Sequence, residues 1–228
     1  MAVCDFHILA QAILYFFAVI AGFVVAIPIG VNRINFKGNC ILYADTKWSN
    51  NEFLIPSSNA GNCNFPIYFS VFGLIFYGLG LGLYNMYAVI RSRKDPAFGS
   101  QMWVIPFMVL NAVQVTISLV VACMVSVGLL TLCNGLTGEG KLKNCWDREN
   151  SEFKKVDTGD TFNSGNYYKL LTTAQAGAWI AFLIWIIQLV LSVLRFIRNR
   201  RQGSGAMMDK AQAGQGSTTK IAETEPTS

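Results

Sequence analysis

Residues 102–132 read MWVIPFMVLNAVQVTISLVVACMVSVGLLTL, thirty-one positions without one Asp, Glu, Lys, Arg or His. As a helix this stretch is about 46 Å long, more than the roughly 30 Å of hydrocarbon that a spanning segment must cross. Three further stretches share its character: Ile8 to Val31, Phe65 to Ile90 and Leu170 to Leu194. Backbone amides in lipid must find partners within their own segment, so these four runs are read as helices. Composition agrees, at 53% hydrophobic and 14% charged, against roughly 25% charged for a soluble domain. The first run is preceded by MAVCDF, without a basic region, and exceeds the 7–15 apolar residues of a signal peptide, so it reads as a retained span.

The sequence thus predicts an all-α integral membrane protein, a four-transmembrane-helix bundle with two disulfide-bearing outer loops and a disordered cytosolic tail. Its parts are an N terminus 1–7, spans 8–31, 65–90, 102–132 and 170–194, loops 32–64 and 133–169, a connection 91–101 and a tail 195–228. Arg91, Arg93, Lys94, Arg195, Arg198, Arg200 and Arg201 crowd against span ends, where the positive-inside rule acts most strongly. The two longer loops hold nine basic residues offset by eight acidic ones, with only Arg33, Lys37 and Lys169 near a span end. Both termini and the 91–101 connection are therefore expected in the cytosol. From Gln202 the tail is rich in Gly, Ser, Thr and Gln and is expected to be disordered.

Cysteine placement points the same way. Cys40 and Cys63 flank the first loop, and Cys133 and Cys145 the first part of the second. Four cysteines allow three pairings; Cys40–Cys63 with Cys133–Cys145 closes the shortest loops and is favoured over the other two and over free thiols. Disulfides persist in the lumen or outside the cell. Cys123 lies mid-span and reads as a small packing residue. Cys4, at the edge of the first span, is a candidate for lipidation.

Small residues four apart let helix backbones approach in lipid. Ala18, Gly22 and Ala26 have that spacing in the first span, Gly78 and Gly82 in the second, Ser118 and Ala122 in the third. Bundle packing is their expected role, with self-association the alternative. The intramembrane polar residues are uncharged: Gln11, Asn85, Asn111, Gln114, Gln175 and Gln188. Asn111, Gln114 and Ser118 are expected to share a face and to hydrogen-bond across the bundle; lining a pore is the sharper alternative. Pro28 and Pro106 mark kinks or boundaries.

Catalytic chemistry has little to draw on. His7 is the one histidine, so a His/Cys metal site has no cluster to draw on and a Ser-His-Asp or Cys-His arrangement would depend on that one residue. Proton relays and ion sites need intramembrane ionisable residues, and the four runs have none. No catalytic, cofactor-binding or metal residue is expected, and no nucleic-acid partner. The mixed charges of the second loop, Glu139 to Asp160, read as a solvated surface, and no Asn-x-Ser/Thr sequon is present in either loop.

Several stretches resemble the transmembrane protein 179 family. Asp5-Phe6, Ala10-Gln11, Tyr15-Phe16, Phe23-Val24-Val25 and Pro28 are similar to its first span. Phe36-Lys-Gly-Asn-Cys40-Ile-Leu-Tyr43 with Trp48 resembles its first outer loop. Val125-Ser-Val-Gly128 with Cys133 and Cys145 resembles the end of its third span and the loop beyond, and Ala174-Gln175-Ala-Gly177-Ala-Trp179 the start of its fourth. The resemblance runs to about Arg200, without the tail. It implies four spans with paired loop cysteines and brings no activity or catalytic residue with it. Connexin-like channels, tetraspanins and claudin-like proteins fit less well by cysteine pattern, claudin-like proteins because their pair sits in the first loop alone. Vesicle proteins of the physin type are the nearest architectural analogy. The expectation is a non-enzymatic membrane organiser, adaptor or trafficking component working by lateral contacts within the lipid bilayer, with other membrane proteins or with itself. An oligomeric channel or small-solute pore is the alternative. The membrane is that of the cell surface or of the secretory pathway and its vesicles.

Overall fold

The computed structural model describes residues 2–44, 47–49, 52–55, 58–92, 104–137, 143–155 and 161–221. Helix α1 covers Ala2–Asn35, and the first loop carries strands β1 (Lys47–Ser49) and β2 (Glu52–Ile55). The second span joins α2 (Gly61–Tyr68), a π-helical segment (Phe69–Phe76) and α3 (Tyr77–Ser92) end to end. Helix α4 is Val104–Thr137. The second loop holds a 3₁₀ turn (Cys145–Arg148), β3 (Glu152–Lys155) and β4 (Thr161–Asn163). Helix α5 is Tyr167–Ile221.

Four apolar stretches are long enough to cross a membrane: His7–Asn35, Gly61–Arg91, Ile105–Thr137 and Tyr167–Arg200, of 29 to 34 residues. Each outruns the expected span at one end or both. At 1.5 Å per residue they measure about 44–51 Å, well beyond the roughly 30 Å of hydrocarbon. On α5 the exposed large apolar side chains run from Trp179 to Ile197, about 27 Å of helix. Beyond Arg200, α5 continues to Ile221 through a stretch expected from composition to be disordered. Gly203, Gly205, Gly214 and Gly216 make that stretch a weak helix by propensity.

Helix α1 packs against the second span on one side and α5 on the other, and α5 packs against α4. Beyond Tyr68 the second span and α4 hardly approach at the backbone and meet through side chains. Close approach of α1 to the second span depends on Gly22. A Cβ there would lie 2.8 Å from Ile75 Cγ1, 2.9 Å from Leu74 Cβ and 3.1 Å from the Ser70 carbonyl oxygen. The same holds between α5 and α1, where a Cβ on Gly177 would lie 2.8 Å from Val24 Cγ1. Pro106 falls in the first turn of α4, where its missing N–H costs no hydrogen bond. Pro28 is buried inside α1.

The loops carry regular structure of their own. Hairpin β1–β2 from the first loop and hairpin β3–β4 from the second lie side by side as one sheet, ordered β1-β2-β3-β4. The join is a parallel pair, Leu54 beside Lys154 and Ile55 beside Lys155. Alternation along β3 and β4 turns Phe153 and Phe162 inward, both buried, onto Phe36 just beyond α1, with ring centroids 6.1 Å apart in each case. Phe153 also meets Tyr167 edge-on at 6.0 Å, at the head of α5. The sheet therefore rests on an aromatic plug that caps the bundle.

Gly22→Ala and Gly80→Ala gain the same helix propensity, but a Cβ on Gly80 would meet nothing within 4 Å. Gly22→Ala is predicted to be the less stable of the two by about 1–3 kcal/mol, the usual cost of overpacking. Unfolding of both variants in mild detergent measures the gap.

Candidate functional site

Two features stand out from general packing: a buried polar hub inside the bundle and the stapled sheet above it. The hub arises from i, i+4 pairs. Gln11 and Tyr15 lie one turn apart on α1, Gln188 and Ser192 one turn apart on α5, and Asn111 reaches them from α4. All five are buried, with at most 4% exposure. Asn111 Nδ2 donates to Ser192 Oγ at 2.9 Å, and its side-chain amide meets the Tyr15 hydroxyl at 3.1–3.2 Å. Gln11 Nε2 donates to Ser192 Oγ at 3.3 Å, and Gln188 Nε2 to the Gln11 carbonyl at 2.8 Å. Such bonds contribute about 0.6 kcal/mol each on average in membrane bundles. Their larger effect is on register, because three helices must align for the five side chains to meet.

Of the expected polar face, only Asn111 crosses the bundle. Ser118 donates back to the Gln114 and Val115 carbonyls of its own helix. Gln114 Oε1 is buried without a partner, beside Gly73 of the second span. The small residues sit within the bundle: Ala18, Gly22, Gly78, Gly82, Ser118 and Ala122 are buried and Ala26 is half-buried. Gly78 and Gly82 face Tyr15 and its neighbours on α1. Tyr15 and Ser192 are not among the polar residues singled out from sequence; their spacing of four from Gln11 and Gln188 is the signal that could have found them. Cys123 is exposed on α4 rather than packed. The Cys4 side chain, Arg93 and Lys94 lie outside the described residues.

On the loop face, disulfides join Cys40 to Cys63 and Cys133 to Cys145. The first ties the turn after α1 to the first turns of α2. Arg33 reinforces that corner, donating from Nε to the Gly38 carbonyl at 3.0 Å and from Nη1 to Asn64 Oδ1. Gly38 takes φ +87° there, a left-handed helix end suited to glycine. The second disulfide ties the last turn of α4 to the 3₁₀ turn, and the Tyr167 hydroxyl donates to the Cys145 carbonyl. Glu149 accepts from the Lys169 backbone N–H at 3.0 Å and lies 3.5 Å from its Nζ, pinning the second loop to α5. Lys37 sits 5.5 Å from the centre of the Phe162 ring. Burial pushes the Tyr43 hydroxyl above its usual range. Among the described residues no group of three His, Cys, Asp or Glu side chains could hold a metal ion.

The family model described as the transmembrane protein 179/179B claudin domain matches residues 7–226. Transmembrane protein 179B of Danio rerio is 24% identical over 199 residues, covering 86% of this chain and 85% of that protein. Transmembrane protein 179B of Homo sapiens is 23% identical over 180 residues, covering 78% of each chain. No solved structure matches. The match runs through most of the tail, past the Arg200 limit of the resemblance read from sequence. The claudin description also overturns the ranking that set claudin-like proteins aside: a second cysteine pair, in the second loop, does not take a chain out of that class. The chain belongs to the transmembrane protein 179/179B family, with its claudin-type domain.

Asn111→Leu is predicted to lower stability by about 1–3 kcal/mol, since it strands the buried Tyr15 hydroxyl. Replacing Cys133 and Cys145 together by Ser is predicted to cost about 3 kcal/mol, the usual contribution of a disulfide closing a short loop. Denaturant titration in detergent, with Thr116→Val on the exposed face of α4 as a neutral control, tests both.

Proposed function

We propose that this chain, as a claudin-type four-span family member, acts as a non-enzymatic membrane organiser, adaptor or trafficking component through lateral and loop contacts. The observation that carries the reading is how its polar groups are used. Gln11, Tyr15, Asn111, Gln188 and Ser192 bond to one another across α1, α4 and α5. The large side chains left exposed along the spans are apolar or aromatic. A surface of that kind recognises lipid and other helices. The loop face supplies the second surface, a disulfide-stapled sheet built from both loops.

The pore alternative gains no comparable support. Between the hub and the sheet lies an apolar cluster that includes Val25, Ile29, Val121, Val125, Leu129 and Leu171. In the proposed orientation the sheet faces the lumen or the cell exterior, where disulfides persist. The termini and the Arg-rich span ends face the cytosol by the positive-inside rule.

Photo-crosslinking from span surfaces and loops in native membranes is predicted to recover a reproducible set of membrane proteins, diminished when Cys133 and Cys145 are replaced by Ser. The purified chain in liposomes is predicted to give no conductance or solute flux. Flux without reproducible partners would contradict the proposal.

A further inference from the structure

Next to the hub, and sharing Gln188 with it, four buried polar atoms have no hydrogen-bond partner in the protein. Trp185 Nε1 and Gln188 Oε1 come from α5, Tyr77 Oη from the second span and Gln114 Oε1 from α4. Trp185 and Gln188 are fully buried and three residues apart on one helix face. The Tyr77 ring lies 5.7 Å from that of Trp185, which also meets Tyr15 at 5.8 Å. Gln114 Oε1 faces Gly73, one turn before Tyr77, and a Cβ at that glycine would come within 3.1 Å of it. The four atoms thus belong to a single region where the second span, α4 and α5 meet.

Buried polar atoms in native proteins are paired almost without exception, to protein or to a bound molecule. The set here is complementary to one kind of group. Trp185 Nε1 only donates, Gln114 Oε1 and Gln188 Oε1 only accept, and Tyr77 Oη does either. Water donates two hydrogen bonds and can bridge both amide oxygens while accepting from the indole N–H; a lipid hydroxyl, with one proton, accepts from Trp185 and donates to one of the two amides; an anion or a cation satisfies only one half. No charged side chain is among the four. The second span and α4 are joined here by rings, Tyr84 against Phe107 at 5.4 Å, rather than by close backbone packing. Gly80, three residues beyond Tyr77, leaves open space at its Cβ position.

We propose that Tyr77, Gln114, Trp185 and Gln188 form an intramembrane binding site for a hydroxyl group, supplied by water or by a small-headgroup lipid entering between the second span and α4. The site adds a bound component to the bundle that the organiser reading does not require.

Radiolytic hydroxyl-radical footprinting of the full chain in phosphatidylcholine nanodiscs, with and without added dioleoylglycerol, tests the proposal. Modification of Tyr77 and Trp185 well above that of Phe36 and Phe153, which lie in the aromatic plug, and unchanged by dioleoylglycerol, assigns the hydroxyl to water. Dose-dependent protection by dioleoylglycerol, with its retention in native mass spectra, assigns it to lipid. In either case Tyr77→Phe combined with Gln114→Leu should cut the Trp185 signal or the lipid retention several-fold. Should that pair fail to fold, Tyr77→Phe alone should produce a smaller drop. Background modification with no retained lipid, or a Trp185 signal indifferent to the substitutions, would overturn the proposal.

Discussion

In hydrocarbon a backbone N–H or C=O without a partner costs several kcal/mol. Each of the four crossing segments meets that constraint within itself, as a helix. Helix–helix recognition is then left to side chains, because lipid tails are as apolar as leucine and burial alone does not favour association. Close approach at Gly22 and Gly177 supplies dispersion contacts, and the hub around Asn111 supplies direction. Backbone pairing between separate segments is possible only outside the hydrocarbon, and there the two loops exploit it. Strands from the two different loops share one ladder there.

That shared ladder gives the loop face its character. Short hairpins are marginal alone. Here they are held at three kinds of point: disulfides at their bases, the parallel β2–β3 pair between them, and Phe153 and Phe162 seated on Phe36 and Tyr167 beneath. Charged residues of both loops fall into place within this frame. Glu149 bonds the head of α5, and Lys37 lies over Phe162. The result is a platform whose shape is set by the bundle below.

The spans and cysteine pairs are legible in the sequence because each is a local signal: a run of uncharged residues long enough to cross, and cysteines close enough to join. The sheet is not legible. Its strands are three or four residues long, and β2 and β3 are separated by about a hundred residues, so no period-2 pattern rises above the loop composition. Hub membership was half legible. Asn111 announced itself as an amide in a span, whereas Tyr15 and Ser192 are ordinary residues for a membrane helix and become polar partners only through tertiary placement. Gln114 and Ser118 shared Asn111's spacing but not its outcome, since Ser118 found acceptors in its own helix. The π-helical segment at Phe69–Phe76 has no sequence signature beyond Gly73, whose missing side chain accommodates the Phe69 ring. The claudin class was obscured by treating cysteine placement as diagnostic, when a second pair is compatible with the fold.

The central claim is that the two loops form one sheet. Its most direct test is cross-loop disulfide trapping between Cys substitutions at Leu54 and Lys154, Cα partners in the parallel pair, mapped by mass spectrometry of the mildly oxidised full chain. Leu54→Cys with Lys154→Cys is predicted to join readily with both native disulfides intact. Leu54→Cys with Phe153→Cys should not, because Phe153 points to the opposite face. Failure of the first pair, or equal joining of both, would contradict the account.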